Sequence, residues 1–584
     1  VSSHCVSESR YERILDLCKR RGFFFQSAEI YGGVAGFIDY GPAGARIKAN
    51  IINLWREMFI DSFPDLIYEV ETPVITPEQI FKASGHVDHF TDPIVRCPSC
   101  MRFFRADHVL EEQGIPAGNI TEAELMSYYD KGVKCPSCGA TLGKPERFNL
   151  LFKTTIGPYE ATTGYIRAET AQGIFTLYKR AYEVLREKKV FGLAQIGRVG
   201  RNEISPRQGP LRLREFTQME IEFFFDPINI SCVAQFENLL AEHLTLLTEG
   251  SQKVVHETVQ EAVNSGTVSN LYMGCLMALG QRFLVQLGIP EENFFYLEVP
   301  KKNLPHYSRQ TWDLMVKVDR WGWVEVAGYS YRGDFDLKSH AQHSGEDLSA
   351  YRAYDRPVMK EKVNVTWDPK VLRGKYGTRT GEIIDALKLL KPDEVLEGMR
   401  NGFVVAAGQK ISISDLTIKA EVEKEYGERF VPHVTEPSFG VDRILYALID
   451  TGFMEREGRI VLRVPRRVAY PQVGVLPLVK RDGLDALAKK KVEEIRRYGF
   501  TVTYDEDGAI GRRYARLDEI GVPVAVTVDY DTLRDGSITL RDRDTWNQVR
   551  VKGEDLEDAL CRFLRLNAQL SELGTPFTSQ GENT

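Results

Sequence analysis

The segment REFTQMEIEFFF alternates residue by residue, with Phe216, Gln218, Glu220 and Glu222 on one side and Thr217, Met219, Ile221 and Phe223 on the other. A period of two is that of a strand with two unlike faces. The preceding FGLAQIGRVGRNE is apolar and glycine-rich without helical spacing, and a Ser-Pro and a Gly-Pro between the two runs mark turns. The pattern predicts a long antiparallel hairpin, with Arg201 and Glu203 sharing a face of the first arm. Antiparallel sheets often bury one face and leave the other open. The open face here carries either solvated cross-strand ion pairs, which are nearly neutral energetically, or a charged ligand. Two carboxylates side by side at Glu220 and Glu222 need a cation or partner nearby, which tilts towards the ligand.

Elsewhere the pattern predicts an amphipathic helix over 10–22 stopped by Gly22, and a second helix from about Ala43 to Ile60. The strand IYEVETPVI follows, and its Pro73 argues for an edge or interface position. Residues 229–300 read as mostly helical, 322–340 as strand and loop, and VPHVTEPSFGVDRILYALID as a strand, a glycine turn and a helix starting near Gly440. From about 469 the short buried strands VGVLPL, FTVTYD and PVAVTVD alternate with helical stretches, which predicts an α/β domain with a largely parallel sheet. The polar end, LGTPFTSQGENT, reads as a disordered tail.

A chain of 584 residues with 27% charged residues is too long for one core and predicts three or four domains. A net charge of −7 excludes a global basic coat, so any nucleic-acid contact must use local patches. With no apolar run of about 18 residues, no membrane span is expected, and VSSHCVSESRYER has no apolar signal core. Five of nine cysteines are scattered (Cys5, Cys18, Cys232, Cys275, Cys561), which fits a reducing cytoplasm. The other four form two identical CPSC turns, Cys97 with Cys100 and Cys135 with Cys138, 34 residues apart. Paired knuckles of this kind bring four thiolates to one tetrahedral Zn²⁺, a closed structural site with no open position for chemistry.

There is no Walker loop and no dinucleotide fingerprint. Three pieces do stand in the order of a class II aminoacyl-tRNA synthetase: a long helix then the strand reaching Pro73; Arg201, Glu203, Arg212 and Phe216 around a loop; and a glycine-rich turn from Gly440 to Arg443. These resemble motifs 1, 2 and 3 of that class. In detail RAETAQGIF, RNEISPR, REFTQMEIE, GWVEVAG and EPSFGVDR resemble the dimeric glycyl-tRNA synthetases of archaea and eukaryotes. GRRYARLDEIGVPVAVTVD and ITLRDRDTWNQVRV resemble their anticodon-binding domain. The resemblance covers nearly the whole chain and is weakest in two inserts. It departs at Gly200, where the family carries Phe before the motif 2 arginine.

The resemblance implies an α/β protein: an α+β catalytic domain on an antiparallel sheet, a four-cysteine zinc-knuckle insertion and a C-terminal α/β anticodon-binding domain. Catalytic segments are expected at 1–95, 146–228, 301–344 and 431–468, interrupted by the zinc insertion at 96–145, a helical insertion at 229–300 and an insertion at 345–430. The anticodon-binding domain is expected at 469–570 and the tail at 571–584. The hairpin would hold ATP, through Arg201, Asn202, Glu203, Arg212, Leu213, Phe216, Glu325, Val326 and Arg443. Arg201 and Arg443 would be catalytic: the glycine carboxylate attacks the α-phosphate, and a guanidinium between two anions offsets their repulsion and the charge that develops. Glu203 would accept the adenine amino proton, Phe216 stack on the ring, Arg212 reach the pyrophosphate, and Glu325 serve ATP and its Mg²⁺. Glycine would be gripped by Glu169, Glu220, Glu436, Pro437 and Ser438, with larger amino acids excluded by lack of space. The implied partners are tRNA(Gly) and a second copy of the chain, with motif 1 at the dimer interface; no membrane is implied.

Two rival readings are a class II enzyme for serine, threonine or proline, and an inactive RNA-binding paralogue. The acidic set Glu169, Glu220 and Glu436 opposes the first, and the intact Arg201, Glu203, Phe216 and Arg443 oppose the second.

Overall fold

The computed structural model describes residues 9–115, 120–158, 162–204, 206, 209–251 and 253–577. Ser349–Val431 forms a compact unit of its own, separate from the rest of the chain. In that unit two long antiparallel strands, Ala350–Trp367 and Leu416–Phe430, carry three short helices between them, packed around Leu372, Ile383, Leu387, Val404 and Ile411.

In the larger unit nine strands form one mostly antiparallel sheet. They are β1 (Ile67–Glu69), β2 (Phe191–Gly200), β3 (Glu215–Phe225), β4 (His243–Leu247), β5 (Val255–Thr258), β6 (Phe294–Glu298), β7 (Gln310–Val318), β8 (Gly322–Gly333) and β9 (His433–Gly440), in the spatial order β5-β4-β6-β7-β8-β9-β3-β2-β1. Helix α1 (Arg10–Arg21) begins with a Ser9–Glu12 capping box and ends on Gly22 in the left-handed region, both sequence signals of a short surface helix. Helix α2 (Pro42–Arg56) runs on into a π-helical turn at Glu57–Asp61. Helices α3 (Ala171–Val184), α4 (Leu271–Gln286), α5 (Phe335–Ser344) and α6 (Val441–Gly452) complete the frame around the sheet.

The apolar face of β3 is the floor of the core. Met219, Ile221, Phe223 and Phe225 pack with Trp55, Phe59 and the buried sides of α4 and α6. The other face, expected to be open, is also buried: Gln218, Glu220 and Glu222 are 6%, 1% and 0% exposed. Rings of α3 (Phe175, Tyr178) close over Phe224 at its far end. Such a face needs internal partners for its charges.

Several expectations are corrected. Residues 229–300 are not a helical insertion: β4, β5 and β6 extend the main sheet, with the alternation His243-Leu244-Thr245-Leu246 giving β4 one buried side. These strands are only four or five residues long, too short to stand out beside the apolar α4. The strand through Pro73 is two strands in different sheets. β1 pairs in parallel with β2, its last bond running from Val70 N–H to Ala194 O (2.8 Å), while Ile75–Pro77 joins Thr162–Ile166. Pro73, with no N–H to donate, sits at the break.

The C-terminal sheet is mixed rather than largely parallel. Its strands are β10 (Val473–Pro477), β11 (Val502–Tyr504), β12 (Val524–Val528), β13 (Ile538–Asp542), β14 (Gln548–Val551) and β15 (Thr575–Pro576). β11, β10 and β12 are parallel, and β13, β14 and β15 add on antiparallel. The tail expected to be disordered thus contains an edge strand; residues 578–584 lie outside the described residues. In the GRRYAR stretch Arg513 is buried, donating to the carbonyls of Pro477, Leu478 and Gly508, and Arg516 pairs with Asp505. Only Arg512 of its three arginines is exposed.

Candidate active site

The β2–β3 ladder runs from Phe191↔Phe224 to Gly200↔Glu215, and Arg201 N–H extends it by one bond to Arg214 O (2.8 Å). Arg201 and Glu203 therefore lie just past the strand end rather than on its face. Arg201 donates from Nε to Ala168 O (3.1 Å), and its guanidinium carbon lies 5.5 Å from the centre of the Phe90 ring and 5.4 Å from that of Phe216. Two aromatic contacts and a carbonyl hold a planar cation in one orientation. Asn202 is tied through its backbone to Leu150 O (2.7 Å), and Glu203 forms a 2.9 Å ion pair with Arg212. At Gly200 an added Cβ would stand 3.0 Å from Ile166 and 3.2 Å from Phe152, so the space that the family's Phe would enter is already taken.

Arg443 follows Gly440, the N-cap of α6. Its Nε donates to Leu211 O (3.0 Å) and its Nη1 to both the backbone oxygen and the carboxylate of Glu325 (2.9 and 3.0 Å). One side chain thus ties the motif 2 loop to β8. Asp442 anchors the same turn: it accepts from Lys48 Nζ (2.6 Å), Thr217 N–H (2.7 Å) and Tyr40 Oη. Asp313 on β7 lies near Glu325; burial first, and then the Glu325 charge, push its carboxyl up to about 8 against the opposing pull of Arg443.

The acidic residues converge on one guanidinium. Arg332, whose side chain is fully buried, donates from Nε and Nη2 to Asp336 (2.8 and 3.0 Å) and from Nη1 to Glu436 (2.9 Å), with Glu169 3.6 Å from Nη2. Glu169 also accepts from Gln172 (2.9 Å) and lies 3.4 Å from His86. Burial works against its charge, but His86, Arg332 and Gln172 together hold it well below the usual carboxylate range. Glu220 accepts from Thr170 N–H (2.7 Å), Thr170 Oγ1 and Ser438 Oγ (2.6 Å). Burial, opposed by Arg332 and reinforced by Glu220 and Glu169, raises Glu436 to about 7. Glu222 has no hydrogen-bond partner on either oxygen among the described residues, and burial followed by the Glu436 charge pushes its carboxyl well above the ordinary carboxylate range. Glu169, Glu220 and Glu436 line the cleft, and a cation bound there would sit against their carboxyl groups.

A single cleft is lined by Arg201, Glu203, Arg212, Leu213, Phe216, Glu325, Val326 and Arg443, together with Glu169, Glu220, Glu436 and Ser438. Of the expected residues only Asn202 and Pro437 do not line it. Sequence reasoning missed Asp313, Tyr307 and Asp442, which also line it, and Arg332 and Asp336 behind it. The Arg332…Asp336 spacing of four and the lone acid in the apolar β7 were the available signals.

The four knuckle sulfurs all lie within 4.8 Å of one another, with Cys97–Cys138 at 3.5 Å and Cys100–Cys135 at 3.7 Å. A tetrahedral ion with sulfur at about 2.3 Å has sulfur–sulfur edges of about 3.8 Å, so the set is compatible with zinc. Cys100 N–H points at Cys97 Sγ (3.4 Å) and, with Ser99 N–H, lowers that thiol to about 6, which favours the thiolate a metal requires.

Residues 472–562 match the family described as anticodon binding domain. Together with a mostly antiparallel catalytic sheet that sets an Arg-Glu hairpin against a Gly-to-Arg helix start, this defines a class II aminoacyl-tRNA ligase. The chain is 48% identical to a glycine--tRNA ligase of Aeropyrum pernix over 98% of its own length and all of the relative's. It is 44% identical to that of Pyrococcus furiosus (95% of this chain, 99% of the relative) and 42% identical to that of Methanothermobacter thermautotrophicus (94% and 98%). It belongs to the glycine--tRNA ligase family.

Proposed function

We propose that this protein activates glycine with ATP and transfers it to the 3′ end of tRNA(Gly). The observation that carries the reading is one cleft in which the Arg201, Phe216 and Arg443 set meets the acidic set Glu169, Glu220 and Glu436. β3 supplies members of both, Phe216 and Glu220, about 13 Å apart along the strand. That is the span of an adenine and an amino acid joined through an α-phosphate.

Adenine stacks on Phe216, with Glu203 accepting from its amino group. Arg212 then leaves its ion pair with Glu203 and turns to the β- and γ-phosphates, while Arg443 covers the nucleotide's other side. The ammonium of glycine sits between Glu169, Glu220 and Glu436, with Ser438 holding Glu220. A carboxylate oxygen of glycine attacks the α-phosphorus, the bond to the bridging oxygen breaks, and pyrophosphate leaves; Arg201 stabilises the charge on the phosphoryl oxygens. No side chain need act as nucleophile, because positioning and charge suffice. In the second step a hydroxyl of the terminal ribose attacks the glycyl carbonyl and AMP leaves. Mg²⁺ bound at Glu325 and Asp313 would neutralise phosphate charge.

The four-cysteine knuckle holds one structural Zn²⁺, and the C-terminal domain reads the anticodon. The chain works as a homodimer: among the described residues β1 ends the sheet with a free edge, and the large apolar side chains of Ile30 and Tyr31 are 88% and 86% exposed. The unpaired Cys18, Cys232, Cys275 and Cys561 fit a reducing cytoplasm, and no described helix is long and apolar enough to cross a membrane. ATP–pyrophosphate exchange against all twenty amino acids tests the reading. Exchange with glycine alone, followed by charging of tRNA(Gly), is expected; exchange driven by serine, threonine or proline would overturn it.

A further inference from the structure

Arg332 is gripped by Asp336 and Glu436, and two rings lie against its guanidinium: the Tyr307 centroid lies 3.9 Å from the guanidinium carbon and that of Phe175 5.2 Å. Phe175 is fully buried and does not line the cleft; Tyr307 does. Arg332, fully buried itself, does not reach the cleft either. Of the two rings against the guanidinium, Tyr307 is therefore the one on the cavity side. We infer that Tyr307 is a specificity-determining residue: its ring is the wall that rejects a side chain on the amino acid, and it screens the substrate ammonium from Arg332.

The segment that carries the ring is tied down. Next to it Arg309 N–H bonds to Tyr331 O (2.8 Å), Ser308 N–H to Pro305 O (2.9 Å), and the His306 ring to Ser84 O (3.0 Å). Tyr307 shares the cleft wall with Glu169 and Glu436, assigned to the ammonium, and with Arg201, assigned to the phosphate. Burial raises the phenol far above its ordinary value, and the ring is thus a neutral wall at any working pH. Around it Glu169, Glu220, Glu436, Ser330 and Ser438 are all polar. A methyl group placed there would have to displace either Tyr307 or the carboxylates' grip on the ammonium.

This inference rests on the glycine reading of the cleft, and its test separates the two. ATP–pyrophosphate exchange is measured with glycine and with L-alanine for the wild type, Tyr307→Ala and Tyr307→Phe. In Tyr307→Ala the preference for glycine over alanine, as a ratio of kcat/KM, should fall by about tenfold or more, the usual worth of one methyl group in a shaped pocket. Its KM for glycine should rise because Arg332 now faces the ammonium, and its KM for ATP should not move. Tyr307→Phe keeps the ring and should keep the ratio. A folded Tyr307→Ala with the wild-type ratio overturns the inference, as does a Tyr307→Phe that loses the ratio as fully as Tyr307→Ala. If Tyr307→Ala does not accumulate as folded protein, Tyr307→Val is read by the same criterion. A wild type that does not activate glycine sinks the functional reading instead.

Discussion

Ser438 on β9 donates a 2.6 Å hydrogen bond to Glu220, its register partner on β3. With Thr170 N–H and Oγ1 on the other oxygen, Glu220 is held as a fixed acceptor in the cleft. Glu220→Gln keeps size and removes charge, and charge-assisted bonds are about twice as strong as neutral ones. The KM for glycine should rise by about tenfold or more, a loss of about 1.5–3 kcal/mol, with the KM for ATP little changed. Glu222→Gln is the control. Glu222 has no hydrogen-bond partner on either oxygen among the described residues and burial favours its protonated form, so steady-state kinetics should barely respond; the reverse pattern would mean that the roles of the two acids are exchanged.

Arg201→Ala removes the cation held between Phe90 and Phe216, and Arg443→Ala removes the tie between Leu211 and Glu325. Each should lower kcat of adenylate formation by about 10²-fold or more, with circular dichroism unchanged. Near-normal exchange in either folded variant would place the chemistry elsewhere.

Asp313 gives a pH dependence of known sign. Its folded carboxyl holds its proton to about 8, whereas an ordinary aspartate has lost it above 3.8. Between those values the folded state binds more protons than the unfolded state, so this group's contribution to stability is full at low pH and is lost as pH rises through about 8. Asp313→Asn should therefore gain Tm relative to the wild type between pH 5 and pH 9, read by calorimetry. Metal-dependent ATP binding needs the ionised form, so it should strengthen from pH 6 to 8 in the wild type and lose that slope in the variant.

The knuckle should carry one Zn²⁺ per chain by metal analysis of the purified protein. Chelation should release the ion and expose four additional thiols to titration. Metal-free protein in which those thiols already react in the native state would sink the assignment.

Arg512 and Arg513 are neighbours with opposite expected phenotypes. Arg513→Ala leaves three carbonyls without their buried donor and should cost about 1–3 kcal/mol of stability. Arg512→Ala should leave Tm and exchange unchanged and weaken tRNA binding, most visibly at low salt. Equal tRNA affinity across a salt series would remove Arg512 from the RNA interface.

The hairpin was legible because its period, its turn dipeptides and its charges are local: Arg201, Glu203, Phe216 and Glu220 fall within twenty residues. The arginine at the centre of the acidic set was not. Arg332 meets Glu436 across 104 positions and Gln172 bridges Glu169 to Asp336 across 164, and no local period encodes such pairings. The burial of the polar face of β3 was hidden for the same reason, since the helices that cover it come from distant segments. β4, β5 and β6 were missed because strands of four or five residues carry too few alternations to outweigh a long apolar helix beside them. In GRRYAR, composition cannot tell an arginine that props a loop, as Arg513 does, from one that waits for a phosphate.

The excursion that carries the knuckle starts and ends at one point. Leu150 N–H bonds to Phe90 O (3.0 Å), and the ladder Thr91↔Asn149, Asp92↔Phe148 rises from there. The chain leaves and rejoins the catalytic body across a gap that a tight turn could span, so the whole module is a bud on the fold. Because the cost of closing a surface loop grows only slowly with its length, such a bud can lengthen, shrink or vanish without shifting the residues at its neck. Phe90 and Leu150 at that neck touch Arg201 and Asn202 directly. Drift at the stem would be felt at once by the arginine beside it, and Asp92 and Arg105, whose charges reach Glu203, tie the module to the cleft a second time.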